Sequence, residues 1–293
     1  MATNPKPKCT SRGAVVEVRI VRRRLGRAAS HLSDLLAGEE PLEIRVRGRS
    51  VAVTMRTPGN DRELAAGFLW TEGIIQRRSD IVEIAPCREP GSGDNILNVF
   101  LAPSVKVDFQ RLTRHVFASA SCGLCGKASI ESVRQHFPAV DSAMTISAGI
   151  LARLPSRLRK SQRAFAETGG LHAAAIYDSS GRLKFLHEDV GRHNALDKVI
   201  GQAFLESKLP LAAHVLLVSG RASFEILQKA LSARIPIIAA ISAPSSLAVE
   251  FARSNNQTLV GFLRGSTMNI YSHPEHVVDH PGQITIDPVG NGS

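Results

Sequence analysis

The residues best equipped for covalent chemistry are Cys122 and Cys125, a Cys-x-x-Cys pair inside Ser119-Ala-Ser-Cys-Gly-Leu-Cys-Gly-Lys127. A helix is expected from Lys127 to His136. A thiol at its start would face unpaired N–H groups and the positive end of the helix dipole, and Lys127 adds charge; each favours thiolate, the form that attacks sulfur. Three other uses of the pair stay open. A thioredoxin-like dithiol needs the motif just after an early strand, a context that Arg111 to Ser121 supplies weakly. A zinc site needs four ligands, and beyond this pair the chain offers only Cys9 in the tail and Cys87 alone, so no metal site is expected. Two small buried thiols would suit a packed core, but the flanking glycines and serines read as an exposed loop.

A second polar cluster lies in Leu186-His-Glu-Asp-Val-Gly-Arg-His-Asn-Ala-Leu-Asp197. Asp189, Arg192, His193 and Asn194 cannot all be satisfied by an apolar core, so this stretch is either a binding loop or a hydrogen-bonding junction. Zinc-dependent deamination needs His-x-Glu with Pro-Cys-x-x-Cys downstream. Here the Cys-x-x-Cys lies upstream of His187 and lacks the proline, which disfavours that chemistry.

These groups need a scaffold, and the pattern of apolar runs supplies one. Val215–Val218, Ile235–Ile241 and Thr258–Phe262 are short continuous apolar runs, separated by helical patterns at Phe224, Leu227, Leu231 and at Leu247, Val249, Phe251. Such alternation predicts a parallel sheet covered on both faces. Its strands would end in Ser219-Gly220-Arg221, Ser242-Ala-Pro-Ser245 and Arg264-Gly265-Ser266-Thr267, and ligands bind at that edge of open α/β sheets. Small residues, helix N-termini and two arginines suit a phosphate. Hairpins are expected at 42–46 with 51–55 and at 172–177 with 182–186, a helix from Asn60 or Asp61 to Gly73 with Leu64, Phe68 and Leu69 on one face, strands at 81–84 and 96–100 around a turn at 89–94, and a helix at 194–206. The expected organisation is a basic tail (1–13), a small α/β domain (14–118), the cysteine loop and its helix (119–142), and an α/β domain (143–293).

The 293 residues carry 36 Lys+Arg against 26 Asp+Glu, a net charge of +10 that favours anionic partners. Arg19, Arg22, Arg23, Arg24 and Arg27 cluster among Val and Ile as a solvated strand face. Aromatic residues are only 5%, and none lies between Met1 and Met55, so stacking platforms for single-stranded nucleic acid are lacking there and nucleic acid is not an expected partner. Pro and Lys occupy the stretch where a signal peptide is apolar, and no run is long enough to span a membrane, so the expectation is a cytoplasmic protein with reduced thiols.

Taken together, Thr57–Ile75, the Ser-Cys-Gly-Leu-Cys-Gly loop, Glu167–His172, His187–Lys198, Val218–Arg221 and Phe262–Tyr271 resemble the FdhD family of formate dehydrogenase accessory sulfurtransferases. The resemblance covers most of the chain from about Glu40 to Tyr271. It implies a cytidine deaminase-like C-terminal domain without the deaminase zinc, and a sulfur carrier that takes persulfide sulfur from a cysteine desulfurase. The carrier would pass it to bis-molybdopterin guanine dinucleotide molybdenum cofactor before insertion into formate dehydrogenase. By motif position Cys122 matches the persulfide-bearing cysteine and Cys125 its partner, while Phe262, Leu263, Arg264, Gly265, Ser266 and Thr267 match the cofactor-binding segment. GDP would serve as a partial mimic of the cofactor, and a homodimer is implied. A cofactor-holding chaperone without sulfur chemistry is the alternative.

Overall fold

The computed structural model describes residues 13–87, 95–109 and 137–279. Cys122, Cys125, the helix expected over 127–136 and the turn at 89–94 fall outside the described residues.

Strands β1 (Val15–Arg22) and β2 (Ser30–Ala37) pair antiparallel as a separate two-stranded ribbon. Of the basic cluster only Arg19 and Arg22 lie on a strand, whereas Arg23, Arg24 and Arg27 lie in the turn that leads to β2, a partner that sequence periodicity did not reveal. Strands β3 (Glu40–Val46) and β4 (Arg49–Arg56) form the expected hairpin. With β5 (Ile81–Pro86) and β6 (Ile96–Leu101) they make a four-stranded sheet of order β4-β3-β6-β5, in which β3 and β6 run parallel. Helix α1 (Asp61–Thr71) lies on it, burying Leu64 and Leu69 against Leu42, Ile44 and Val99.

No side chain among the described residues caps the start of α1. Asn60 sits in the left-handed region at φ 57° and makes no capping bond, while the Asp61 carboxylate takes the buried Arg56 guanidinium at 2.9–3.0 Å. Gly73, at φ 71°, closes the other end.

The larger sheet has six strands in the order β13 (Thr267–Ser272), β12 (Thr258–Arg264), β11 (Ile237–Ala240), β10 (His214–Val218), β8 (His172–Asp178) and β9 (Leu183–Asp189). Strands β8 (His172–Asp178) and β9 (Leu183–Asp189) are the second expected hairpin. Strands β10 (His214–Val218), β11 (Ile237–Ala240) and β12 (Thr258–Arg264) are parallel, as their apolar runs predict. The sheet as a whole is mixed, however, because β8 runs antiparallel to β10 and β13 (Thr267–Ser272) folds back on β12. A short parallel pair, β7 (Ile146–Ser147) with β14 (Val277–Val278), stands apart.

Both faces of this sheet are covered. Helices α4 (Arg192–Leu205), α5 (Phe224–Ser232) and α6 (Ser246–Ser254) pack on one face, where Leu196, Ile200, Ile226 and Ala248 meet Leu216, Ile238 and Leu259. Ser245 caps α6 by accepting from the Ala248 amide. The other face is covered by α2 (Ala148–Ser161), which buries Leu151, Leu154 and Leu158 against Val215, Leu217 and Val260. A short helix, α3 (Arg163–Thr168), follows it. Helix α4 begins two residues before the expected Asn194, so Arg192 and His193 form its first turn.

Helices α1 and α4 join the two sheets at unusually close range. A β-carbon on Gly67 would lie 1.8 Å from the Asp197 carbonyl oxygen, and one on Gly201 1.8 Å from that of Glu63. Only glycine permits such backbone contact. No helix among the described residues is long and apolar enough to cross a membrane.

Candidate functional site

Two surfaces built on the larger sheet collect the sequence-predicted residues. The first is the edge at the C-terminal ends of β10, β11 and β12. The Ile241 amide donates to Val218 O at 3.1 Å, the Ala222 amide to Ala243 O at 3.2 Å, and the Phe262 amide to Ser242 O at 3.1 Å, which brings 219–221, 242–245 and 262–267 together. The stretch expected from Arg264 to Thr267 is a hairpin turn, with Gly265 at φ 56° and Thr267 Oγ1 donating to Arg264 O.

Phe262 adopts φ 49°, a conformation that costs an aromatic residue on the order of 1–3 kcal/mol. The residue is 39% exposed, and the Arg264 guanidinium lies 5.8 Å from its ring centroid. Arg264 Nε donates to Ile241 O at 3.0 Å, so the side chain is held across the strand end with its terminal nitrogens available. Arg221, Ser266 and Thr267 are exposed, whereas the Leu263 side chain is buried beneath α2 and leaves only its backbone toward the edge.

Beside this edge opens a cavity of about 660 Å³, lined among others by Gln162, Phe165, Gly170, His172, Ser219 and Ile241. Gln162 is 5% exposed and its Nε2 has no hydrogen-bond partner among the described residues, an arrangement that normally costs about 1–3 kcal/mol. Ser219 Oγ accepts from the Ala173 amide at 2.9 Å and retains its own proton to donate. Burial, aided by the Arg192 charge, holds His172 below its ordinary pKa, so its imidazole is neutral near neutral pH. Gly220 lies between His172 and Arg192: a β-carbon there would sit 3.4 Å from His172 Nδ1 and 3.6 Å from Arg192 Cδ.

The β9–α4 cluster divides into two groups. Asp189 is fully buried and saturated: it accepts from the Thr57 and Gly191 amides at 3.1 and 2.8 Å and from Asn194 Nδ2 at 3.1 Å, and it pairs with Lys198 Nζ at 2.7 Å. Asn194 Nδ2 also donates to Met55 O at 2.7 Å. These two residues join the hairpin of the smaller sheet to the larger one. Arg192 and His193 face differently, since Arg192 Nε and His193 Nε2 are buried without a hydrogen-bond partner among the described residues. The Glu225 carboxylate lies 3.3 Å from His193 Nε2 but in a geometry that makes no hydrogen bond, and burial with the Arg192 and Lys229 charges pushes the His193 pKa down to about 3.

Sequence reasoning missed the wall formed by Arg159, Gln162 and Phe165. The spacing of Leu151, Leu154 and Leu158 at i, i+3, i+7 carries a helix signal, but Pro155 within it reads as a break. It also missed Lys229, whose buried ammonium contacts Asp197 at 2.9 Å and Thr71 at 2.9 Å. Burial works against that charge, but Asp197, Glu72 and Glu225 outweigh it and raise its pKa.

Comparison with known proteins places this arrangement in a family. Residues 37–278 match the model of the FdhD/NarQ family. A sulfur carrier protein FdhD from Streptomyces coelicolor is 50% identical over 272 residues, covering 90% of this chain and 96% of the relative. That from Mycobacterium tuberculosis is 50% identical over 253 residues, covering 83% and 92%. One from the archaeon Sulfurisphaera tokodaii is 43% identical over 248 residues, covering 84% and 92%. A crystal structure from Desulfotalea psychrophila, assigned as a formate dehydrogenase accessory protein, is similar in fold at a TM-score of 0.73 and 24% identity, covering 90% of this chain and 100% of that one. The mixed α/β architecture with several sheets is therefore shared, and the chain belongs to the FdhD/NarQ family.

Proposed function

We propose that the protein is a sulfur carrier for formate dehydrogenase maturation, working in the cytoplasm as a homodimer. It takes persulfide sulfur from a cysteine desulfurase onto Cys122 and passes it to bis-molybdopterin guanine dinucleotide cofactor, which it holds as substrate. In the loading step the Cys122 thiolate attacks the outer sulfur of the donor persulfide. The donor's S–S bond breaks, the donor departs as thiolate, and Cys122–S–SH forms without any external oxidant. Cys125 is the neighbour that polarises or resolves that group.

Residues 143–293 form the cofactor-holding domain and 14–118 its support. Its strand order, an antiparallel β8–β9 hairpin beside parallel β10, β11 and β12, agrees with a cytidine deaminase-like reading. The observation that carries the substrate assignment is the strand-end edge itself, where Arg264 is tethered beside an exposed, positive-φ Phe262 and adjoins a cavity holding the unpartnered Gln162 amide. An aromatic face, a fixed guanidinium and an amide donor suit a guanosine phosphate. Ser219, Gly220, Arg221 and Phe262 to Thr267 supply the phosphate side of the site, with Arg192 and His193 at its rim.

Titration calorimetry with GDP tests this. Arg264→Lys should weaken GDP binding about fivefold or more, the equivalent of about 1 kcal/mol for a charge-assisted bond, while Arg23→Lys, in the exposed turn between β1 and β2, leaves it unchanged. Equal effects of the two substitutions, or equal affinities for guanosine and GDP, would remove the phosphate site.

A further inference from the structure

The 660 Å³ cavity beside the strand-end edge is one-sided in its hydrogen bonding. Each polar side chain that lines it brings a donor. Gln162 Nε2 is buried there without a partner among the described residues, and the Ser219 hydroxyl keeps its proton because its oxygen takes the Ala173 amide. Neutral His172 carries one N–H. Arg159, exposed at the rim, lies over the Phe165 ring at 4.1 Å, a contact through its face that leaves its in-plane N–H groups to take an acceptor. No carboxylate among the described residues lines the cavity. Glu188, behind the wall, spends both oxygens on the Ala164 and Phe165 amides at 3.1 and 2.8 Å.

The donor set is held in place by the fold. Gln162 joins α2 to α3: its amide donates to Leu158 O and its carbonyl accepts from the Ala166 amide, both at 3.1 Å, so the backbone is pinned on either side of the buried side chain. The hydrogen-bonding edge of a guanine carries N–H donors beside its carbonyl oxygen and needs acceptors to match. A donor-rich wall without a carboxylate suits the opposite chemistry, an anionic group that only accepts. The cavity is also continuous with the nucleotide edge, because the Ile241 carbonyl that takes Arg264 Nε at 3.0 Å belongs to a lining residue. A ligand whose phosphate sits on Arg264 therefore has the cavity next to it for its other end.

We infer that the cavity between the α2–α3 junction, the start of β8 and the end of β10 takes the oxo-metal end of the substrate cofactor, an acceptor-only anionic group met by Gln162, Ser219 and Arg159, while the guanosine phosphate stays on the strand-end edge. This rests on the sulfur-carrier reading above and assigns the part of its substrate that enters the cavity.

Molybdate is the probe, a tetrahedral oxoanion with acceptors only; inorganic phosphate has the same shape and, at mildly alkaline pH, the same charge, but carries an O–H that needs an acceptor. Titration calorimetry on the full-length protein should show molybdate bound at least about tenfold more tightly than phosphate, since burying a donor without an acceptor is costly. Saturating GDP should change the molybdate affinity by less than about threefold, as for ligands in separate subsites. Gln162→Leu should weaken molybdate binding about fivefold or more without lowering the unfolding midpoint, because the amide it removes makes no bond in the fold. Gln162→Glu, which sets a carboxylate against the anion, should abolish binding. Absence of molybdate binding beside intact GDP binding overturns the inference and leaves the carrier reading standing. So does displacement of molybdate by GDP, equal affinity for phosphate, undiminished molybdate binding by Gln162→Leu, or a loss of stability in that variant, which would make Gln162 a structural residue. Tighter guanosine binding by Gln162→Glu also overturns it, as the behaviour of a cavity that reads the base. Failure of the unaltered protein to bind either GDP or molybdate would instead remove the cofactor-holding reading and the inference with it.

Discussion

Lys198 Nζ lies 2.7 Å from Asp189 Oδ2, with both side chains almost wholly buried, and between them they hold the backbone of Thr57 by its amide and its carbonyl oxygen. The Thr57 hydroxyl in turn accepts from the Val190 amide. The ion pair thus clamps the hairpin end of the smaller sheet onto the turn that carries Arg192 and His193.

Removing one partner of that clamp leaves a buried, uncompensated carboxylate. Lys198→Met should therefore destabilise the protein by about 3–5 kcal/mol in denaturant unfolding. Arg77→Ala, which removes a 74% exposed partner from Asp80, should cost no more than about 1 kcal/mol. Similar losses from both would show that the interior pair carries no special weight.

The contact between α1 and α4 makes a second demand on stability. Gly67→Ala or Gly201→Ala forces a methyl group onto a carbonyl oxygen and should cost about 1–3 kcal/mol or prevent folding. Gly149→Ala, in the first turn of α2 with its nearest neighbour atoms at 3.6 Å, should be neutral or gain up to about 1 kcal/mol from helix propensity. Urea midpoints of the three variants decide the matter, and a stable Gly67→Ala protein would mean that the helices can separate.

His193 makes stability depend on pH. Its folded pKa, about 3, lies below the ordinary value of 6.5, so between those values the unfolded chain binds the extra proton. Its neutral, buried state is undisturbed above about pH 6.5, and stability falls as pH drops from there toward 3, by up to about 1.4 kcal/mol per pH unit from this residue. His172 and His187, also lowered by burial, act in the same direction. His193→Gln should flatten the profile between pH 6 and 4 relative to the unaltered protein. An unchanged slope would mean that His193 keeps its proton in the fold.

The apolar runs at β10, β11 and β12 made the core of the larger sheet legible, because strands buried on both faces carry no polar alternation to confuse them. The edge at 219–221, 242–245 and 262–267 followed from that topology. The β2 strand was not legible: its residues in Ser30–Ala37 alternate weakly and its partner is fixed only by tertiary pairing. Asp189 and Asn194 looked like binding residues because buried polar side chains are rare; sequence alone could not show that Thr57 and Met55, more than 130 residues away, satisfy them. Local charge likewise could not show that Lys229 finds Asp197 across the α4–α5 contact.

Sulfur carried on Cys122 as a persulfide would raise the mass of the protein. Intact-protein mass spectrometry after incubation with a purified cysteine desulfurase and cysteine addresses it directly. The protein should gain the mass of one sulfur atom, lose it on treatment with a thiol reductant, and yield a Cys122-containing peptide that carries the addition, whereas Cys122→Ala stays unmodified. Cys87, which is buried, should not acquire it. No reductant-sensitive gain, or the same gain in the Cys122→Ala protein, would contradict the carrier mechanism.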